Sequence, residues 1–238
     1  MKKIMFLTAL VVATSFAQAQ VSIGVHGNLI GASMKNTEDG QDLDFDNRFS
    51  WKGGLVAQVP LTMNVNFLPQ LNLLSKGGKM DISETAEIQG VPVTERLKGN
   101  AKLVYLELPL NVVYSTGGEE GGFFIGLGPS IGFGLSGEFE GDYTISAAGQ
   151  SESEPFNVDL KFDGKTEDEV DQNDEAWHFK RLDFGANVIA GYQLSNGFFI
   201  NAHYNHSFSD IDPNNDIETK NRYFGIGLGY FFGRRAAY

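Results

Sequence analysis

From residue 21 onward, apolar and polar positions alternate with a period of two over most of the chain. Phe198, Ile200, Ala202, Tyr204 and Phe208 share one face with His206; Phe199, Asn201, His203, Asn205, Ser207 and Ser209 share the other. That repeat belongs to a β-strand with one apolar and one hydrated face. Residues 183–194 repeat it, with Phe184, Ala186, Val188, Ala190, Tyr192 and Leu194 opposite Asp183, Gly185, Asn187, Gly191 and Gln193. Over 123–136, Phe123, Ile125, Leu127, Ile131, Phe133 and Leu135 oppose Gly126, Gly128, Ser130, Gly132, Gly134 and Ser136. Over 223–232, Phe224, Ile226, Leu228, Tyr230 and Phe232 alternate with Gly225, Gly227 and Gly229. Four noisier runs precede these. Val21, Ile23, Val25 and Leu29 oppose Ser22, His26 and Asn28, and Trp51, Leu55, Ala57 and Val59 oppose Lys52, Gly54 and Gln58. Val65, Phe67, Leu71 and Leu73 oppose Asn66, Gln70, Asn72 and Lys76, and the Leu-rich run 104–114 hides Tyr105, Glu107 and Asn111 on its polar side. The pattern predicts eight strands, most of them longer than the roughly 5–6 residues usual in soluble sheets.

The links between these runs alternate in length. Short ones cover 61–64, 116–122 and 195–197, and long polar ones cover 35–47, 77–101, 137–180 and 210–221. One rim therefore carries tight turns and the other carries loops. Strands of about ten residues joined in this way are the signature of an outer-membrane barrel, with the apolar set facing lipid and the hydrated set facing the lumen. The expected fold is all-β: an eight-stranded antiparallel up-and-down transmembrane β-barrel with short periplasmic turns and long extracellular loops. A water-soluble up-and-down barrel would instead turn its apolar set inward.

The first residues follow a different rule. Lys2 and Lys3 precede an apolar stretch over 4–16, and Ala17-Gln18-Ala19 supplies a small-x-small cleavage pattern. This reads as an export signal over 1–19, cleaved near Ala19, with the barrel domain occupying 20–238 and the outer membrane of a bacterium as its destination.

Composition changes the picture in two places. There is no cysteine among the 238 residues, which removes disulfides and thiol chemistry. The formal charge of −12 speaks against a nucleic-acid partner. Loss of Lys2 and Lys3 would take it to −14, and that charge is concentrated. Residues 137–179 hold thirteen acids against Lys161 and Lys165, a net −11, leaving −3 for the rest of the mature chain. Such a run reads as a long, solvated extracellular loop. Its middle, 156–164, alternates and is expected to prolong the strands, with divalent cations as candidate partners of the acids.

Three constellations are candidate sites. In a small barrel filled by side chains, Glu107 needs cations or donors, and Lys52, Lys76 and Arg222, with Tyr105 beside it, are the expected lumen network. Asp210, Asp212, Asn214, Asp216 and Glu218 place oxygens at alternate positions, a weak echo of a calcium loop without its glycine and its last glutamate. Tyr223, Gly225, Leu228 and Tyr230 match the last-strand assembly pattern of outer-membrane proteins. His203 and His206 lie three apart on a strand, hence on opposite faces, and form no metal pair. No catalytic residue and no cofactor is expected.

Tyr105, Glu107, Pro109 and Leu110 form a Y-x-E-x-P-L strand, and Gly128-Pro129 lies in the glycine-rich strand that follows. In these motifs, and in 182–194 and 223–232, the chain resembles the PorT-like outer-membrane β-barrel proteins of Bacteroidota. That resemblance implies an eight-stranded outer-membrane barrel, in a family whose founding member serves a protein-secretion system. Two functions follow as expectations: a non-enzymatic barrel anchored in outer-membrane lipid whose surface loops bind a partner, or an accessory of protein secretion or narrow channel.

Overall fold

The computed structural model describes residues 21–38, 41–117, 121–171, 173–214 and 217–232. The proposed export signal therefore lies outside the described residues. Among the described residues eleven strands form one sheet. In chain order they are β1 (Ser22–Glu38), β2 (Gln41–Asp44), β3 (Arg48–Pro60), β4 (Val65–Ile88), β5 (Val91–Ser115) and β6 (Gly122–Ala147). There follow β7 (Gln150–Lys161), β8 (Trp177–His178), β9 (Leu182–Gln193), β10 (Phe198–Ser207) and β11 (Ile217–Phe231).

The strand count departs from the expected eight. Ten strands lie along the sheet's path, with β2 paired to β1 off it. The extra strands come from links read as loops: β2 folds back on β1, β7 pairs with the prolonged β6, and β8 lies parallel to β7. The β4–β5 and β6–β7 extensions are held by continuous antiparallel pairing and by cross-strand side-chain pairs rather than by a buried face. The closed circuit of antiparallel pairings runs β1–β3–β4–β5–β6–β9–β10–β11, and β11 returns to β1 from Gly24↔Phe231 to Glu38↔Ile217. Closure leaves these strands without a free edge along the ring.

The sheet is inside-out relative to a soluble barrel. Leu29, Ile226, Ala202, Ala190 and Ile125 form one outward row across five strands, and Leu29, Ile226 and Ile125 are each 60% exposed or more. Asn72, Asn111, Asn187, Asn205 and Asn221 are all buried inside. Aromatic pairs Phe123–Tyr192 and Phe198–Tyr230, each with centroids 4.8 Å apart, band the outer wall near the short-turn end. Of the outward set, Val59 is the exception: it is buried opposite Phe67.

At the other end the sheet continues past the ring. β4 and β5 run on to a two-residue turn at Gln89-Gly90, and β6 and β7 meet at Ala148-Gly149. Both turns have two successive residues at positive φ (51° and 79°; 49° and 80°), the geometry that matches the twist of a tight hairpin and that Gly adopts without strain. The link over 77–101 is thus a hairpin and not an irregular loop. Cross-strand hydroxyls Thr85–Thr94, Thr144–Ser153 and Ser146–Ser151, each at 2.9 Å, run along it and its neighbour.

Candidate functional site

Inward-facing positions of five strands meet in the lumen. Glu107 and Tyr105 come from β5, Lys76 from β4, Lys52 from β3, Asp183 from β9 and Tyr223 from β11. The Lys76 Nζ lies 2.9 Å from Glu107 Oε2 and 3.0 Å from Asp183 Oδ2, joining two carboxylates from different strands. Lys52 Nζ stands 3.8 Å from Glu107 Oε1 and donates to the Tyr223 hydroxyl at 3.1 Å. That hydroxyl donates in turn to Glu107 Oε1 at 2.5 Å. Asn221 Nδ2 and Ser209 Oγ donate to Asp183 at 3.0 and 3.1 Å. Lys76 also lies over the Tyr105 ring, 4.8 Å from its centroid. All four ionic side chains are 2% exposed or less. Two cations therefore face two anions out of water, which is tolerable only because each has charged or donor partners. Towards the short-turn end, Asn187 bridges to Asn111 at 2.9 Å and Asn205 to Ser130 at 2.8 Å across the interior.

The structure brings four of the five expected network residues together: Lys52, Lys76, Tyr105 and Glu107. Arg222 is a correction. It shares parity with the outward Phe224 and Ile226, is half-buried, and donates from Nε to Ser33 Oγ at 2.9 Å. Since successive side chains alternate faces, Tyr223 turns inward in its place. Tyr223 and Asp183 were the missing members, and the alternation already put Asp183 on the polar face and Tyr223 in step with Gly225.

The acidic segment caps this cluster. Phe162 meets Tyr105 edge-on, 5.2 Å between centroids at 74°, and its ring occupies the space where a side chain on Gly134 would begin. Phe139, Leu160 and Phe179 are buried in the same apolar layer. The solvated loop expected over 137–179 is thus a strand pair followed by a strap whose phenylalanines, Phe162 and Phe179, are buried, because four apolar side chains gain more by leaving water than the neighbouring acids lose by approaching the surface. Lys161 holds Asp174 at 2.7 Å, Lys180 holds Asp210 at 2.8 Å, and Arg181 Nε donates to the Phe162 carbonyl at 2.7 Å. His178 Nδ1 lies 2.7 Å from Asp163 Oδ1. The hydrogen bond from Lys161 holds the Asp174 carboxyl below its ordinary pKa. For Asp163, partial burial works upward, but the hydrogen bonds from His178 and the Lys165 amide prevail and its pKa is lowered.

The oxygen-rich segment does not converge. Asp210 Oδ1 accepts from the amides of Asp212 and Thr219, Asp212 Oδ1 accepts from Asn214, and Glu218 pairs with Lys220. Asp216 lies outside the described residues. Among the described residues no group of three or more His, Asp or Glu is placed to hold a metal ion. In the assembly pattern, Tyr223 and Gly225 face inward and Leu228 and Tyr230 outward; a side chain on Gly225 would collide with Ile30 and His203, at 2.7 and 2.8 Å. His203 is buried and His206 exposed, on opposite faces of β10 as expected.

Among solved structures, Ail of Yersinia pestis in complex with the heparin analogue sucrose octasulfate is 16% identical; the alignment covers 90% of this chain and 99% of that one, with a TM-score of 0.34. Neisserial surface protein A is 10% identical, with coverages of 89% and 99% and a TM-score of 0.37. The outer membrane protein OprG from Pseudomonas aeruginosa is 14% identical, with 89% and 94% covered and a TM-score of 0.36. No curated protein matches the chain. The family profile described as outer membrane protein beta-barrel domain matches residues 16–212, most of the chain. The chain belongs to the outer membrane protein beta-barrel domain family.

Proposed function

We propose that this is a non-enzymatic integral outer-membrane barrel, closed to solutes, that works through the platform at its long-loop end. The observation that carries the reading is the lumen cluster. Lys52, Lys76, Glu107 and Asp183 reach in from four strands of the ring, and an apolar layer lies on top of them. A barrel whose cross-section is taken up by buried side chains has no aqueous path. What remains available to a partner is the sheet beyond the ring, with its hydroxyl ladders and acidic strap. Outer-membrane lipid contacts the apolar wall, and the long-loop end faces outward.

The absence of native cysteine gives a direct test. Ser153→Cys lies on the prolonged hairpin and Asn196→Cys in a short turn. A membrane-impermeant maleimide added to intact cells should label the first and leave the second unlabelled until lysis. The reverse pattern, or equal labelling, would overturn the orientation. A second reading is favoured by the Tyr105–Leu110 motif, namely a PorT-like accessory of protein secretion. A deletion strain of the parent bacterium should secrete its proteins normally if the chain is a binding barrel, and loss of secretion would replace that reading by the accessory one.

A further inference from the structure

Above the apolar layer the open end of the ring holds a cavity of about 500 Å3, within the range of ligand sites in proteins. Its floor is apolar, made by Met34, Phe45, Met80, Ala101, Leu103 and Leu160. Trp177, stacked on Phe139 with centroids 4.9 Å apart, forms an aromatic wall. The rim has the opposite character. Glu167, Asp171, Asp174 and Asp212 line it, and Lys165 is the one lysine among the described lining residues. Lys161 already answers Asp174, whereas Glu167, Asp171 and Asp212 have no ion pair among the described residues. Asp212 is half-buried, and burial, together with the Asp210 charge, raises its carboxyl pKa above the ordinary value. A cation nearby would relieve both effects.

One polar atom on the wall fixes the kind of cation. The His178 side chain is only 6% exposed, and its Nδ1 sits against Asp163 Oδ1 at 2.7 Å. An ionised carboxylate can only accept, so Nδ1 carries the proton and, in the neutral ring, Nε2 presents a lone pair. That Nε2 has no hydrogen-bond partner; the closest carboxylate oxygen, Asp174 Oδ2, stands 3.7 Å away. A buried acceptor without a donor is a costly state that a ligand N–H can end.

We propose that this cavity is a binding site for small amphiphilic cations: an apolar, preferably planar body against the floor and Trp177, and a primary ammonium group shared between His178 Nε2 and the rim carboxylates. The proposal deepens the closed-barrel reading and rests on it, since the site is a cup only if the lumen beneath is shut. Three ligands of one shape separate charge from shape: tryptamine (cationic), 3-ethylindole (neutral) and indole-3-propionate (anionic). Their binding to the full chain in lipid nanodiscs would be measured by calorimetry, with empty nanodiscs subtracted for partitioning. Tryptamine is expected to bind saturably, one per chain, about tenfold or more tighter than indole-3-propionate, with 3-ethylindole between them. The double variant Glu167→Gln/Asp212→Asn, at rim positions that support no core packing, should weaken tryptamine by about fivefold and leave 3-ethylindole within about twofold. Equal affinity for the three ligands, no saturable tryptamine binding, or an unchanged tryptamine affinity in the double variant would overturn the proposal. Planar-bilayer recordings on the same preparation keep the two ideas apart. A silent bilayer with no tryptamine binding fails the cavity alone, whereas a conducting pore fails the closed-barrel reading whatever tryptamine does.

Discussion

Glu107→Gln is the perturbation whose effect follows most directly from the lumen geometry. Its carboxylate is fully buried and answers Lys76 at 2.9 Å, Lys52 at 3.8 Å and the Tyr223 hydroxyl at 2.5 Å. Glutamine keeps the shape and can still accept from Tyr223, but it removes the charge. Asp183 still answers Lys76, but Lys52 loses its carboxylate partner, and one positive charge is left uncompensated out of water. Removing one partner of a buried pair costs about 3–5 kcal/mol, and the retained Tyr223 hydrogen bond points to the lower end, about 3 kcal/mol. Solvent screening offers no discount, because the side chain is 0% exposed. The folded-to-unfolded ratio should fall by about a hundredfold, since each 1.4 kcal/mol is roughly a factor of ten. Urea unfolding in phospholipid vesicles can measure this with two native reporters, Trp51 on the outer wall and Trp177 in the strap. Both should lose structure at lower urea in the variant. Adding Lys52→Met rebalances the cluster at one cation and one anion. The double variant should be less destabilised than the sum of its parts by about 1 kcal/mol or more. A loss below about 1 kcal/mol for Glu107→Gln, or strict additivity with Lys52→Met, would refute the view that these charges answer one another.

Three further expectations follow from the mouth and the hairpins. Asp163 and Asp174 have lowered pKa values in the fold, so their contribution is present above the unfolded value of about 3.9 and is lost as pH falls through the lower folded values. Hydrogen exchange at 163–178 should therefore accelerate below about pH 4 while β9 and β10 stay protected, and uniform protection would contradict the strap's attachment. Gly134→Val pushes a side chain into the Phe162 ring. It should expel Phe162 from its place on Tyr105 and increase protease cleavage within 162–180, with the heat-modifiable gel migration of the barrel unchanged. Gly90→Val, at φ 79°, forces a β-branched residue into the left-handed region. A loss of about 1–2 kcal/mol confined to the tip of the β4–β5 hairpin is expected, readable as faster exchange at 85–94 with no change elsewhere.

Much of the ring was legible in residue order because a barrel wall imposes period two on every strand. From Phe198 to Ser207 each residue faces the way its parity says. The same rule carried Lys52, Lys76, Tyr105 and Glu107 into the lumen, and applied consistently it would have delivered Tyr223 and Asp183 and turned Arg222 away. The ladder beyond the ring was less legible. Residues 77–101 and 137–161 lack a buried face over much of their length, so their alternation carries charges and hydroxyls instead of Leu and Phe, and polarity imitates a loop. What marks them as strands is the pairing of Thr85 with Thr94 and of Thr144 with Ser153, a relation between distant residues that composition does not record. The folding of Phe162 and Phe179 into the mouth is a tertiary event of the same kind, hidden by the acids around them.

Single-channel recording in planar lipid bilayers tests the closed lumen most directly. The purified wild-type barrel should insert, as judged by protection from protease, and give no stable open conductance in molar KCl. Stable ohmic openings that persist across voltages would contradict a lumen filled by Lys52, Lys76, Glu107 and Asp183.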